Sequence, residues 1–183
     1  PHWQEWDPPF DAVARAGSGA ARVMKARAMV IGAELMAVGI DANCAPVADV
    51  ARDATHPFLR NRCYGSDAET VTQIARAVAD GFLAAGVQPV IKHMPGHGLS
   101  HVDTHHDLPT VDVAPDDLAR IDFAPFRALA DLPMAMTAHL VFSQIDPDLP
   151  ATQSPRMIDV IRNEIGFNGL LMTDDLNMQA LKG

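Results

Sequence analysis

Cysteine is scarce in this chain. Only Cys44 and Cys63 occur among 183 residues, which is too few for a disulfide scaffold, and both are expected as reduced thiols. Basic residues are outnumbered, 14 Lys and Arg against 23 Asp and Glu, for a net charge of −9. No basic run appears anywhere, so neither a nucleic-acid backbone nor an anionic membrane is expected as the main partner, since both need clustered cations. No window of about 18 apolar residues exists, so no membrane-spanning helix is expected. The first residues, PHWQEWDPPF, lack the basic and apolar regions of a signal peptide. The cytoplasm is therefore the expected compartment, although a leader ahead of a longer chain would not be visible here. No Gly-x-Gly-x-x-Gly follows any apolar run, which counts against a dinucleotide fold. Internal repeats and low-complexity tracts are missing too.

What remains is ordinary globular material, 48% hydrophobic and 20% charged, enough for one domain with a sizeable core. Residues 1–16 carry Pro and Trp without a period and are expected as a loop. From Gly17 to Val38 the spacing of Val23, Ala26, Met29, Val30, Ala33 and Met36 predicts a helix with those residues on its apolar face. Ser66 followed by Glu69 reads as a capping box, opening a helix that buries Val71, Ile74, Ala75, Val78 and Phe82 and closes at Gly86. Pro115 suits a first helical turn, with Leu118, Ile121, Phe126 and Leu129 on the apolar side. Ser154-Pro155 reads as an N-cap and N1 proline of a helix ending near Gly166. Between these helices lie four strands, expected at 42–48, 88–93, 133–139 and 168–173. Helix and strand in alternation predict parallel neighbours with helical crossovers. In such folds the reactive groups collect at the C-terminal strand ends. Arg62, Lys92, His93, His139 and Asp174 all follow or end a predicted strand.

The densest chemistry is in IKHMPGHGLSHVDTHHDLP, residues 91–109. His93, His97, His101 and His105 are spaced by four, the interval of a metal-binding helical stripe. Pro95, Gly96 and Gly98 make a helix there unfavourable, and no H-E-x-x-H is present. A metal site built from the loop itself stays open. Within this loop, Asp103 stands two residues from His105. A carboxylate at that spacing can fix an imidazole tautomer and raise its basicity, preparing it for proton transfer near neutral pH. A solvated polar loop is the competing reading. Asp174 and Asp175 follow the apolar GLLM run. Adjacent acids at a strand end point opposite ways, so Asp174 is expected to face the site and Asp175 to support the turn. Two helix-capping acids are the alternative. Lys92 ends an apolar strand, where burial is costly without a partner or a polar ligand. Arg62, in NRCYG, can clamp ligand oxygens.

These segments together resemble glycoside hydrolase family 3, in its β-N-acetylhexosaminidase (β-N-acetylglucosaminidase) branch. KHMPGHG followed by DTH resembles that branch's Lys-His-x-Pro-Gly-His-Gly and Asp-Ser/Thr-His signature. MTDDLNM resembles its nucleophile segment, and DANCAPVADV, NRCYG and MTAHLVFSQIDPDLPATQS match in the same order. The resemblance spans residues 15–183, and five ordered motifs make it specific.

It implies an α/β fold, an eight-stranded (β/α) TIM-type barrel of about 250 residues. This chain would cover about half of it, with 1–183 a partial catalytic domain lacking its first and last strands. It implies retaining hydrolysis through a covalent glycosyl-enzyme. Asp174 would be the nucleophile, and His105, polarised by Asp103, the general acid and then base. Arg62, Lys92 and His93 would bind the terminal N-acetylglucosamine. The implied substrate is an anhydro-muramyl muropeptide of peptidoglycan recycling in the bacterial cytoplasm. No metal and no organic cofactor is implied, and the oligomeric state is left open. A related family 3 glycosidase or phosphorylase and an inactive truncated barrel are the alternatives. The glycines of the 91–109 loop predict a segment that rearranges to bring His105 to the glycosidic oxygen.

Overall fold

The computed structural model describes residues 3–100, 108–178 and 181. The chain opens with α1 (Pro9–Ala16), passes through a tight turn at Gly17–Gly19 and continues as α2 (Ala20–Ala37). There follow β1 (Ala42–Asn43), the short α3 (Pro57–Arg60), α4 (Ala68–Ala84), β2 (Gln88–Met94) and β3 (Thr110–Val111). Next come α5 (Pro115–Asp117), which winds on in wider π-type turns through Asp122, then α6 (Ala124–Ala128), β4 (Met134–Thr137) and β5 (Val141–Phe142). The described part closes with α7 (Pro155–Asp159), widened to Glu164, and β6 (Leu170–Met172).

The main sheet has the order β1-β2-β4-β6, and all three pairings are parallel. The four expected strands are therefore sequential parallel neighbours joined by helical crossovers, the arrangement of part of a (β/α) barrel. They are shorter than expected. Only Ala42 and Asn43 of the 42–48 segment pair continuously. Pro46 interrupts the ladder, which resumes as a single bridge from Val47 to Lys92. A second small parallel pair, β3 with β5, is separate from the main sheet. Between Ile91 and Met94 the register with β4 shifts, so two β2 residues, Lys92 and His93, oppose one on β4, Met136. The peptide bonds Ala45–Pro46, Lys92–His93 and Met94–Pro95 are cis.

One core runs between helices and sheet. Val71, Ile74, Ala75, Val78 and Phe82 of α4 are all buried in it, as their spacing predicts, together with Ile91, Leu118, Phe126, Ala135 and Ile161. At about 1.5–3 kcal/mol for each large side chain, burial of this kind dominates the stability of the piece. Three local expectations need correction. Residues 9–16 form α1 rather than a loop: Pro9 sits in the first turn, where a missing N–H costs nothing. The N-cap of α4 is Asp67, whose carboxylate accepts from the Thr70 amide at 2.8 Å, not Ser66.

The buried face of α2 is Ala20, Met24, Ala28 and Gly32, while Val23, Met29, Val30 and Met36 are exposed. The reason is close helix packing. A Cβ on Gly81 of α4 would lie 2.5 Å from the Lys25 carbonyl oxygen, and one on Gly32 would lie 2.6 Å from Ala85 Cβ. Small residues make that contact, so the large apolar ones are turned outward. At the other end Ser154 caps α7 as expected, its hydroxyl accepting from Met157 N at 3.0 Å. Among the described residues no helix is long and apolar enough to cross a membrane.

Candidate active site

The C-terminal ends of the strands carry the chemistry. The chain leaving β1 runs along β2, with Ala48 N donating to Lys92 O at 2.7 Å, and this sets Asp49 beside the end of β2. Asp49 is fully buried and accepts three hydrogen bonds. Two come from the backbone amides of His93 (3.1 Å) and His97 (2.8 Å), and one from the His93 ring through Nδ1 (2.8 Å). Burial alone would push this carboxyl up. The neighbouring His93 ring and its N–H outweigh that and hold Asp49 below the usual carboxylate range.

Because Asp49 is then an anion, it fixes the His93 tautomer with the proton on Nδ1 and leaves Nε2 to face the mouth. There Nε2 lies 3.8 Å from Asp174 Oδ2. Asp174 stands just past β6 with its side chain partly exposed, and its Oδ1 accepts from the Asp175 amide at 2.8 Å. Asp175 turns the other way and accepts from the Asn177 amide and side chain. The two carboxylates therefore diverge, Asp174 toward His93 and Asp175 toward the turn at Asn177.

Lys92 is half-buried. Desolvation lowers its pKa, with Cys44, Arg62, Asp174 and Asp49 as its charged or ionisable surroundings. Arg62 lies over the Phe58 ring at 4.4 Å and, with Lys92 and Asn43, lines a cavity of about 210 Å³ beside β1. Lys92, His93 and Asp174 thus meet at one end of the sheet, with Arg62 at its margin. His139, at the end of β4, shares Nδ1 with the Thr152 hydroxyl (2.7 Å), and its Nε2 lies 3.1 Å from the Asp175 carbonyl oxygen. This ring braces the turn that presents Asp174. Asp103 and His105 lie in 101–107, outside the described residues.

Asp49 was missed by sequence reasoning, although an acid inside an otherwise apolar run was a signal for it. Asp49, His93 and His97 each offer one ligand atom, all within 4.8 Å of one another. The Asp49 carboxylate is already occupied by three N–H groups, so the arrangement is a hydrogen-bonded hub. His97 packs against the His93 ring at 5.1 Å, and burial with the His93 neighbour pushes its pKa down to about 3, leaving it neutral. Among the described residues neither of its ring nitrogens has a partner.

Residues 7–183 match the family model of the glycosyl hydrolase family 3 N terminal domain. A β-hexosaminidase of Bordetella parapertussis is 38% identical over 157 residues, which is 82% of this chain and 43% of that protein. Among solved structures, a family 3 β-N-acetylglucosaminidase from a Paenibacillus species superposes with a TM-score of 0.87 at 37% identity. That match covers 96% of this chain and 33% of the other. NagZ from Neisseria gonorrhoeae, solved with N-trifluoroacetyl-D-glucosamine, gives a TM-score of 0.86 at 31% identity over 93% of this chain and 52% of that one. The chain spans less than half the length of the Bordetella relative.

Proposed function

The chain belongs to glycosyl hydrolase family 3, and from that membership we propose that it supplies the core of a retaining β-N-acetylglucosaminidase. The observation that carries the reading is the approach of His93 Nε2 to Asp174 Oδ2 at 3.8 Å across the strand ends, with His93 locked by Asp49. A carboxylate beside a group that binds sugar hydroxyls is placed to attack an anomeric carbon. Here Asp174 is the nucleophile. It forms a bond to C1 as the glycosidic bond breaks, and His105, supported by Asp103, gives its proton to the departing oxygen. His105 then takes a proton from water, which attacks C1 from the same face the leaving group occupied and frees Asp174.

Arg62, Lys92 and His93 hold the terminal N-acetylglucosamine. With its Nδ1–H donating a hydrogen bond to Asp49, His93 presents Nε2 as an acceptor for a sugar hydroxyl, while Lys92 and Arg62 donate. The substrate class is N-acetylglucosamine β-linked to an anhydro-muramyl residue or its peptide, turned over during bacterial cell-wall recycling in the cytoplasm. Residues 1–183 form a partial catalytic barrel, four of its eight strands, lacking the first and last. The full-length protein, given a chromogenic N-acetylglucosaminide with and without inorganic phosphate, is expected to release the chromophore at a phosphate-independent rate and yield free N-acetylglucosamine. A sugar phosphate as product would replace this reading with a phosphorylase, and no turnover would replace it with an inactive domain.

A further inference from the structure

Past Met94 the chain enters residues 95–100, the stem that leads toward 101–107. The stem is gripped from two directions. On one side is the segment following Asp49. Val50 lies so close that a Cβ on Gly98 would fall 1.9 Å from its carbonyl oxygen. The Thr55 hydroxyl accepts from Arg52 N at 2.6 Å and donates to the Gly98 carbonyl, and His56 N donates to Ser100 O at 3.0 Å. On the other side is the end of the α5 extension. A Cβ on Gly96, whose φ is +146°, would fall 3.0 Å from Asp122 Cβ and 3.2 Å from the Asp122 carbonyl oxygen.

These two sides are joined beneath the stem by one ion pair, Arg52 Nη2 to Asp122 Oδ2 at 2.7 Å. The pair links residues 70 apart in sequence. Asp122 is 2% exposed, yet among the described residues its Oδ1 has no hydrogen-bond partner, and neither does Arg52 Nε. A pair with one buried partner and, among the described residues, two unsatisfied polar atoms contributes little to stability compared with an apolar filling of the same space. Burial outweighs the attraction of Arg52, with Asp49 adding repulsion, and pushes the Asp122 carboxyl up to about 6. A costly pair under the loop stem is better explained by what it holds than by what it stabilises.

We propose that Arg52 and Asp122 are positioning residues, a clamp that fixes the 95–100 stem and thereby delivers the proton-transferring group of the following segment. The inference rests on the glycosidase reading above for its catalytic consequence, while the clamp itself is a structural claim with its own readout. Arg60 Nη1 donates to the Arg52 carbonyl oxygen at 2.7 Å, so the segment that carries the clamp is tied back to α3.

The test uses full-length protein with Arg52→Met, Arg52→Lys and, should the first not fold, Arg52→Gln. Hydrogen exchange is followed at the His56, Gly96 and Ser100 amides. Turnover is measured on a β-N-acetylglucosaminide with a poor leaving group and on an activated aryl glycoside. Arg52→Met is expected to speed exchange at those amides about tenfold. It should slow the poor-leaving-group substrate roughly tenfold to a hundredfold more than the activated one, and Arg52→Lys should recover most of both effects. Unchanged exchange overturns the clamp. Faster exchange with equal losses on both substrates overturns its role in proton delivery. His105→Ala, run alongside, separates the two readings: if it shows no difference between the substrates, the acid/base assignment fails, and exchange alone then decides the clamp.

Discussion

Asp122→Asn isolates the charge of the clamp from its shape. The Asp122 carboxyl moves from an ordinary 3.8 in the unfolded chain to about 6 in the folded one. At about 1.36 kcal/mol for each pH unit, the folded state disfavours the ionised form by about 3 kcal/mol. A folded-state pKa raised above the unfolded value means a contribution that is fully present below pH 3.8. It is lost as pH rises through about 6. Asparagine has no such loss. The Asn variant also leaves Arg52 without an anionic partner, but the Arg52 side chain is 27% exposed, so water takes up part of that cost, and the remainder does not vary with pH in this range. Urea unfolding of both proteins from about pH 4 to about pH 8 therefore has a defined outcome. The stability difference, variant minus wild type, should grow by roughly 2 to 3 kcal/mol toward high pH. A difference that stays flat, or that shrinks as pH rises, would refute the assignment of a burial-dominated carboxylate at 122.

Asp174→Ala is expected to abolish turnover of both activated and unactivated N-acetylglucosaminides, while His105→Ala should spare the activated ones, because only the others need a proton on the leaving group; steady-state rates on the two substrates check it. Asp49→Asn leaves at least one of three buried N–H groups facing an amide N–H and should cost about 1–3 kcal/mol, with a raised KM as His93 loses its fixed tautomer. Normal urea midpoint and KM would contradict the hub. Gly98→Ala pushes a methyl group toward the Val50 carbonyl oxygen and should lower the thermal midpoint by an amount corresponding to about 1–3 kcal/mol; an unchanged midpoint would contradict that contact.

The parallel sheet, the α4 face and the Ser154 cap were legible because each is written in local pattern: a run, a period, a capping residue. The α2 face was not, because hydrophobic periodicity weights large side chains, whereas α2 meets α4 through Ala28, Gly32 and Gly81, whose small size is what permits the approach. At the site, Lys92, His93 and Asp174 were legible from their places at strand ends and from ordered motifs. Asp49, Arg52 and Asp122 were not. Their partners lie 44 to 70 residues away, and nothing in the spacing of a lone acid or Arg announces a partner at that distance. The four-residue spacing of His93 and His97 falls on no helix, as Pro95, Gly96 and Gly98 led one to expect, and His97 packs, neutral, against His93.

The register shift between Ile91 and Met94 governs which side chains reach the mouth. In an uninterrupted strand, neighbours alternate between faces, and Lys92 and His93 would be sent to opposite sides of the sheet. One surplus residue on β2 breaks the alternation, and both side chains reach the surroundings of Asp174. Recognition at this strand end is thus encoded in segment length as well as residue identity. Lys92 and His93 are the two residues between Ile91 and Met94, so removing either one would restore the ordinary pleat and take a member of the pair with it.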